Sequence, residues 1–244
     1  MRRLLIAVVF ICLASPHAFA VIAFDAASSD FDGSAVTSLT YSHTTTGTDR
    51  ALIVGVGGYI SGATFPDVPT VTYDAVSMTQ EATLTWDADG FATRLTLFCL
   101  ANPSTGASDV VVSSTSSNSL FSVAMSYTGA NQTDPCGASG TNSVDAGTST
   151  SIDVTTSLGD WAVDVIHYFH DGTTTLTPGA GQTERIHLNN GGSDDSQKGS
   201  DEVGAAGTTT MSWTASAAID IGHIAVQLFE AGAAPAARRV IMVQ

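Results

Sequence analysis

Basic residues are scarce in this 244-residue chain, with 8 Lys+Arg against 23 Asp+Glu and a formal charge of −15. Two of the eight, Arg2 and Arg3, fall in an N-terminal segment that reads as a secretory leader. Its removal leaves 6 basic residues (8 less 2) against 23 acids, a charge of −17 (6 less 23). Nucleic acid and anionic lipid both need basic patches, so this balance argues against either as a partner. Aromatics are sparse at 7%, and no window of about 15 residues after Ala20 repeats with a helical period. Several signatures are also absent: the Gly-x-Ser-x-Gly elbow, the His-Glu-x-x-His zinc helix, the phosphate-binding glycine loop and the dinucleotide fingerprint. That removes the motif-defined hydrolases and nucleotide enzymes. It leaves open a glycosidase, whose two carboxylates have no fixed spacing.

The leader reading rests on Arg2-Arg3, the apolar run Leu4 to Leu13 and the small-x-small site Ala18-Phe19-Ala20. The apolar run is too short to span a bilayer, and no second one follows. Residues 1–20 are therefore a signal peptide, and the mature chain starts near Val21 as an exported protein, secreted or held at the cell surface. Residues 21–230 suit one all-β domain. Residues 231–244 form an Ala/Pro tail with Arg238-Arg239 and the apolar end Val240 to Val243, either a plain terminus or a short docking segment. Two cysteines survive processing, Cys99 and Cys136. An oxidising compartment allows them a disulfide. Cys99 also shares a strand face with Leu95 and Leu97, which suits a buried thiol.

What the sequence does hold is alternation. Phe121, Val123, Met125 and Tyr127 recur every second position, with Ser122, Ala124, Ser126 and Thr128 between them, the pattern of a half-buried antiparallel strand. Around it, Phe91 to Pro135 reads as three strands with two short polar turns. Earlier, Val21 to Phe24 and Ala35 to Tyr41 read as opening strands and Arg50 to Ile60 as a nearly continuous apolar, central one. Pro69 to Thr79 reads as a hairpin on Asp74-Ala75, and Glu81 to Trp86 as a strand closed by the turn Asp87 to Gly90. Later, Gly/Ser/Thr-rich residues to Thr150 read as an exposed connection. Strands are expected at Ser151 to Thr155, Asp160 to Phe169, Thr183 to Leu188, Thr208 to Trp213 and Ile221 to Glu230, with a polar loop over Asn189 to Glu202. About twelve short strands with frequent turns predict an all-β, two-sheet antiparallel sandwich of the jelly-roll type.

Candidate chemistry is thin. Asp164, His167, His170 and Asp171 cluster along DWAVDVIHYFHDG, but a strand sends Asp164 and His170 to one face and His167 to the other. They read better as strand-end polar groups facing solvent, with His170 and Asp171 as binding candidates. Asp87 and Asp89, and the acids Asp194, Asp195, Asp201 and Glu202, offer the hard oxygens that Ca²⁺ prefers, so Asp87 and Asp89 are the candidate metal ligands. Trp86, Trp161 and Trp213 could stack on sugars or pack in the core. Trp86 abuts an acidic turn and is the expected exposed one. Asn131-Gln132-Thr133 is a glycosylation sequon.

The segments VTYDAVSMT (residues 71–79), TRLTLFCLANPSTGASDVVV (93–112), VAMSYTGANQTDP (123–135), GDWAVDV (159–165), PGAGQTER (178–185) and TTTMSWTAS (208–216) spread over most of the mature chain. Together they resemble a lectin-like, jelly-roll sandwich module of secreted and cell-surface bacterial proteins and some phage structural proteins. The resemblance implies that fold and a binding or structural role, and it brings no catalytic residues. The expectation is an exported, non-enzymatic module that binds a glycan or a partner protein, or self-associates. The alternatives are a polysaccharide-cleaving enzyme with a carboxylate pair and a virion or filament subunit.

Overall fold

The computed structural model describes residues 21–62, 64–169, 172–190 and 195–232. The expected leader, the tail beyond residue 232, His170, Asp171 and Asp194 lie outside the described residues. Thirteen strands are found among the described residues: β1 (Ala23–Thr45), β2 (Ala51–Ser61), β3 (Thr70–Tyr73), β4 (Val76–Ser77), β5 (Thr79–Ala88), β6 (Phe91–Ala101), β7 (Gly106–Thr128), β8 (Cys136–Thr156), β9 (Trp161–Phe169), β10 (Leu176–Pro178), β11 (Thr183–Asn189), β12 (Asp195–Val203) and β13 (Gly207–Leu228). They form two antiparallel sheets packed as a sandwich, the expected fold class.

Each sheet is built from one contiguous half of the chain. The first runs β1-β7-β2-β6-β5, with β3 and β4 beyond the N-terminal part of β7. The second runs β8-β13-β9-β12-β11, with β10 beyond the N-terminal part of β13. The registers superpose. Ile53 pairs with Cys99 and Met125, and Val163 pairs with Asp201 and Val226. Among the described residues the two halves thus repeat one strand order, and β4 alone has no counterpart. The two halves also close on each other alike: Asn131 N–H donates to Phe229 O at 2.9 Å and Ala231 N–H to Gly129 O at 2.8 Å.

The long strands β1, β7, β8 and β13 bend out of their main sheet to form an outer leaf that folds back over it. The sandwich therefore has four layers. One core lies between the two main sheets, with Ile53, Leu97, Phe121, Val123 and Met125 against Val163, Val165, Ile224 and Val226. A second fills the space under the first leaf, where Leu52, Val54 and Phe98 meet Tyr41, Tyr73 and Val110. Two smaller clusters, around Trp213 with Ile166 and around Met211 with Val154, lie under the second leaf.

This layering explains where the strand expectations fail. Over residues 118–127 β7 is buried on both faces, Ser122, Ala124 and Ser126 included, because the leaf covers the side that alternation assigns to water. Bent strands read as two in the sequence: β1 joins the two opening segments, β7 fuses two of the three central strands, and β13 runs through both late ones. The supposed exposed connection after Pro135 is β8, and the polar loop near residue 195 is the buried strand β12. Asp74-Ala75 is the turn expected, both residues having positive φ (49° and 60°).

Candidate functional site

β9 is the centre of the second main sheet, hydrogen-bonded to β13 on one side and β12 on the other. Its alternation sends Val163, Val165 and His167 inward to the first sheet, and Asp164, Ile166 and Tyr168 outward beneath the second leaf. Asp164 is therefore not at a solvent-facing strand end. It is 0% exposed, and a buried carboxylate persists only where donors replace water.

Five donors converge on it. Ser200 gives Oδ1 its backbone N–H at 3.0 Å and its hydroxyl at 2.6 Å. Trp213 Nε1–H donates to Oδ2 at 2.8 Å, and His223 Nε2 lies 3.0 Å from the same oxygen. Gln182 Nε2–H reaches Oδ2 at 3.2 Å and also donates to Ser200 Oγ at 2.8 Å. The other end of that amide, Gln182 Oε1, accepts from the backbone N–H groups of Ser212 at 2.6 Å and Gly179 at 3.2 Å. Behind His223, Nδ1 meets the Thr150 hydroxyl at 3.3 Å, which accepts from Asn142 Nδ2 at 3.2 Å. Beside the cluster, the ammonium of Lys198, the chain's sole lysine, sits 2.9 Å from Glu184 Oε2 and over the Trp213 ring. On the inward face of β12, Asp201 bonds Arg185 at 2.7 Å and accepts from the Tyr127 hydroxyl at 3.2 Å. Burial raises the Asp201 carboxyl above its usual range, opposed by Arg185.

β12 (DSQKGSDEV) has no apolar residue except its last, which is why it reads as a loop. Polar partners take the place of hydrophobic burial. The repeated strand order was the signal that could have found it, since the second half requires a strand where the first has FATRLTLFCLA.

The other candidates scatter. Trp86 is buried, not exposed, packed on Gly222 and edge-on to His167 at 6.1 Å. It is no open platform for a sugar. Trp213 is buried under the second leaf and Trp161 is half-buried against the core between the main sheets. His167, expected at the surface, is 0% exposed between Phe121, Phe169 and Trp86, and neither ring nitrogen has a partner. Burial lowers its pKa to about 3. Asp87 and Asp89 lie on an exposed turn where Asp87 Oδ1 accepts from Gly90 N–H at 3.0 Å. Asp195 and Asp201 are buried in β12. Among the described residues no three His, Cys, Asp or Glu side chains gather as a metal site would require. Asn131 is buried, its Oδ1 capping Thr133 and Asp134 N–H, so the sequon is not presented. Cys99 and Cys136 are joined as a disulfide that ties β6 to β8, one half to the other.

No family model matches the chain, and no curated protein or solved structure is significantly similar to it.

Proposed function

We propose that the chain is an exported, non-enzymatic β-sandwich module for surface interaction or assembly, which takes up a strand from a neighbouring chain along an open sheet edge. The observation that carries this reading is β8. It is hydrogen-bonded to β13 on one side, and no strand pairs its other side among the described residues. Over residues 149–156 it alternates cleanly, with Ser149, Ser151, Asp153 and Thr155 exposed and Thr150, Ile152, Val154 and Thr156 buried. Exposed edges are usually blunted with Lys or Pro. β8 contains no Lys, Arg or Pro over its 21 residues. An incoming strand would find an edge with no ladder partner and small side chains, the setting for strand addition. The disulfide agrees with an oxidising, extracellular compartment, and the resemblance to secreted surface and phage structural modules agrees with the role.

A glycan is the second reading. Ser149, Ser151, Thr208, Thr210 and Thr214 form exposed hydroxyl rows on the outer leaf, a surface suited to sugar hydroxyls. Polysaccharide pull-down with the 21–244 chain, with and without Ca²⁺, tests it. Retention abolished by Thr210→Ala with Ser151→Ala would favour the glycan, and no retention would leave assembly as the role.

A further inference from the structure

The Gln182 amide and the Ser200 hydroxyl are arranged as reactants. We infer that they are joined by an intramolecular ester that the protein forms itself, with release of ammonia. Every group such an acyl transfer needs is in place. The nucleophile is Ser200 Oγ, whose hydrogen lies on Asp164 Oδ1 at 2.6 Å, the contact a general base makes. The acceptor is Gln182 Cδ. Its oxygen is held between the N–H groups of Ser212 (2.6 Å) and Gly179 (3.2 Å), a pair of donors like those that stabilise a tetrahedral oxyanion. The leaving nitrogen, Nε2, is 2.8 Å from Oγ and 3.2 Å from Asp164 Oδ2, so the carboxylate can return to it the proton taken from Oγ. Trp213 Nε1 and His223 Nε2 hold Asp164 in place.

The step balances without a co-reactant. The Oγ–H bond breaks and Oγ–Cδ forms. The electron pair shifts to Oε1 and returns as Cδ–Nε2 breaks. The proton passes through Asp164 to nitrogen, and NH₃ leaves. Oγ lies 2.8 Å from Nε2 of the same amide, so the attack requires it to pass from that nitrogen to the adjoining Cδ. Asp164, Ser200, Trp213 and His223 are each 0% exposed and Gln182 is half-buried, so the serine side of the ester is covered, and loss of ammonia draws the reaction forward. The bond would fasten β12, the strand without an apolar core of its own, to the turn before β11.

The test is the mass of the reduced 21–244 chain. It should be lighter than its sequence by one ammonia. Cleavage after Arg185 and Lys198 should release the peptide ending at Arg185 joined to the one beginning at Gly199, and neutral hydroxylamine should separate them. Ser200→Ala and Gln182→Glu should each restore the full sequence mass. A wild-type chain at full sequence mass, or an ammonia loss mapped to any other pair or to an asparagine, overturns the inference. That readout comes from the native protein, so it stands even if a variant fails to fold.

Discussion

A Cβ added to Gly57 would fall 2.7 Å from Nδ1 of His167, and the two residues occupy matching positions in the two halves. By register Gly57 lies on β2 where His167 lies on β9. The same holds one step along, where a Cβ on Gly55 would meet Val165 Cγ1 at 2.7 Å. The two sheets fit because one half lacks side chains at the positions where the other has them.

Gly57→Val should therefore destabilise the fold by about 1–3 kcal/mol through overpacking. Pairing it with His167→Ala should recover much of that loss. A double-mutant cycle by urea unfolding measures the coupling; additive losses would mean the two sites do not touch.

His167 also sets an acid sensitivity. Its folded pKa is about 3, against about 6.5 for the unfolded chain. Above the unfolded value both states are neutral there. As pH falls through that value the unfolded chain takes up a proton the folded one refuses, so stability declines down to about pH 3. The full effect is on the order of 5 kcal/mol. The groups facing His167 are Phe121, Phe169, Trp86 and its β12 neighbour Gln197, none of them charged. His43, lowered to about 4 by burial, acts in the same direction. Asp201, raised by burial, acts in the opposite one. In chemical denaturation at stepped pH, His167→Leu should flatten the curve between about pH 6 and 4. An unchanged slope would assign the acid response elsewhere.

Reducing Cys99–Cys136 opens a loop of 37 residues. Loop-closure entropy for that length predicts a loss of about 2–4 kcal/mol. Because the bridge joins the halves, Cys99→Ser with Cys136→Ser should lower the melting temperature without changing the far-UV spectrum of the folded protein. Equal melting temperatures with and without reductant would show that the bridge adds no stability.

Asp164→Ala leaves Trp213 Nε1, His223 Nε2 and Ser200 Oγ buried without their acceptor. The expected loss is about 3–5 kcal/mol, read by thermal unfolding. Glu230→Ala, at a half-buried position just after β13, should change little. A comparable loss at the two positions would deny the cluster its role.

Alternation was enough to find β2, β9 and the all-β class, because their residues face cores whatever lies around them. It could not show the leaves. A strand that bends from main sheet to leaf keeps its period of two, so the sequence of β1 or β13 looks like two strands with a break. Nor could it show β12, where Ser200, Lys198 and Asp201 are buried by virtue of partners far along the chain. The Asp164 cluster was half visible: the strand period separated Asp164 from His167 correctly, but Gln182, Ser200, Trp213 and His223 come together only through the sheet register. Trp86 misled because its acidic neighbours Asp87 and Asp89 sit on the turn, while its own ring points back over Gly222.

The central claim is that the open edge of β8 joins chains. Sedimentation equilibrium of the 21–244 chain, across a concentration series at physiological salt, tests it most directly. The account predicts a defined oligomer or a growing chain of subunits that Ser151→Lys with Thr155→Lys returns to monomer while the fold stays intact. A wild-type protein that remains monomeric at every concentration, or an oligomer indifferent to those two lysines, would contradict it.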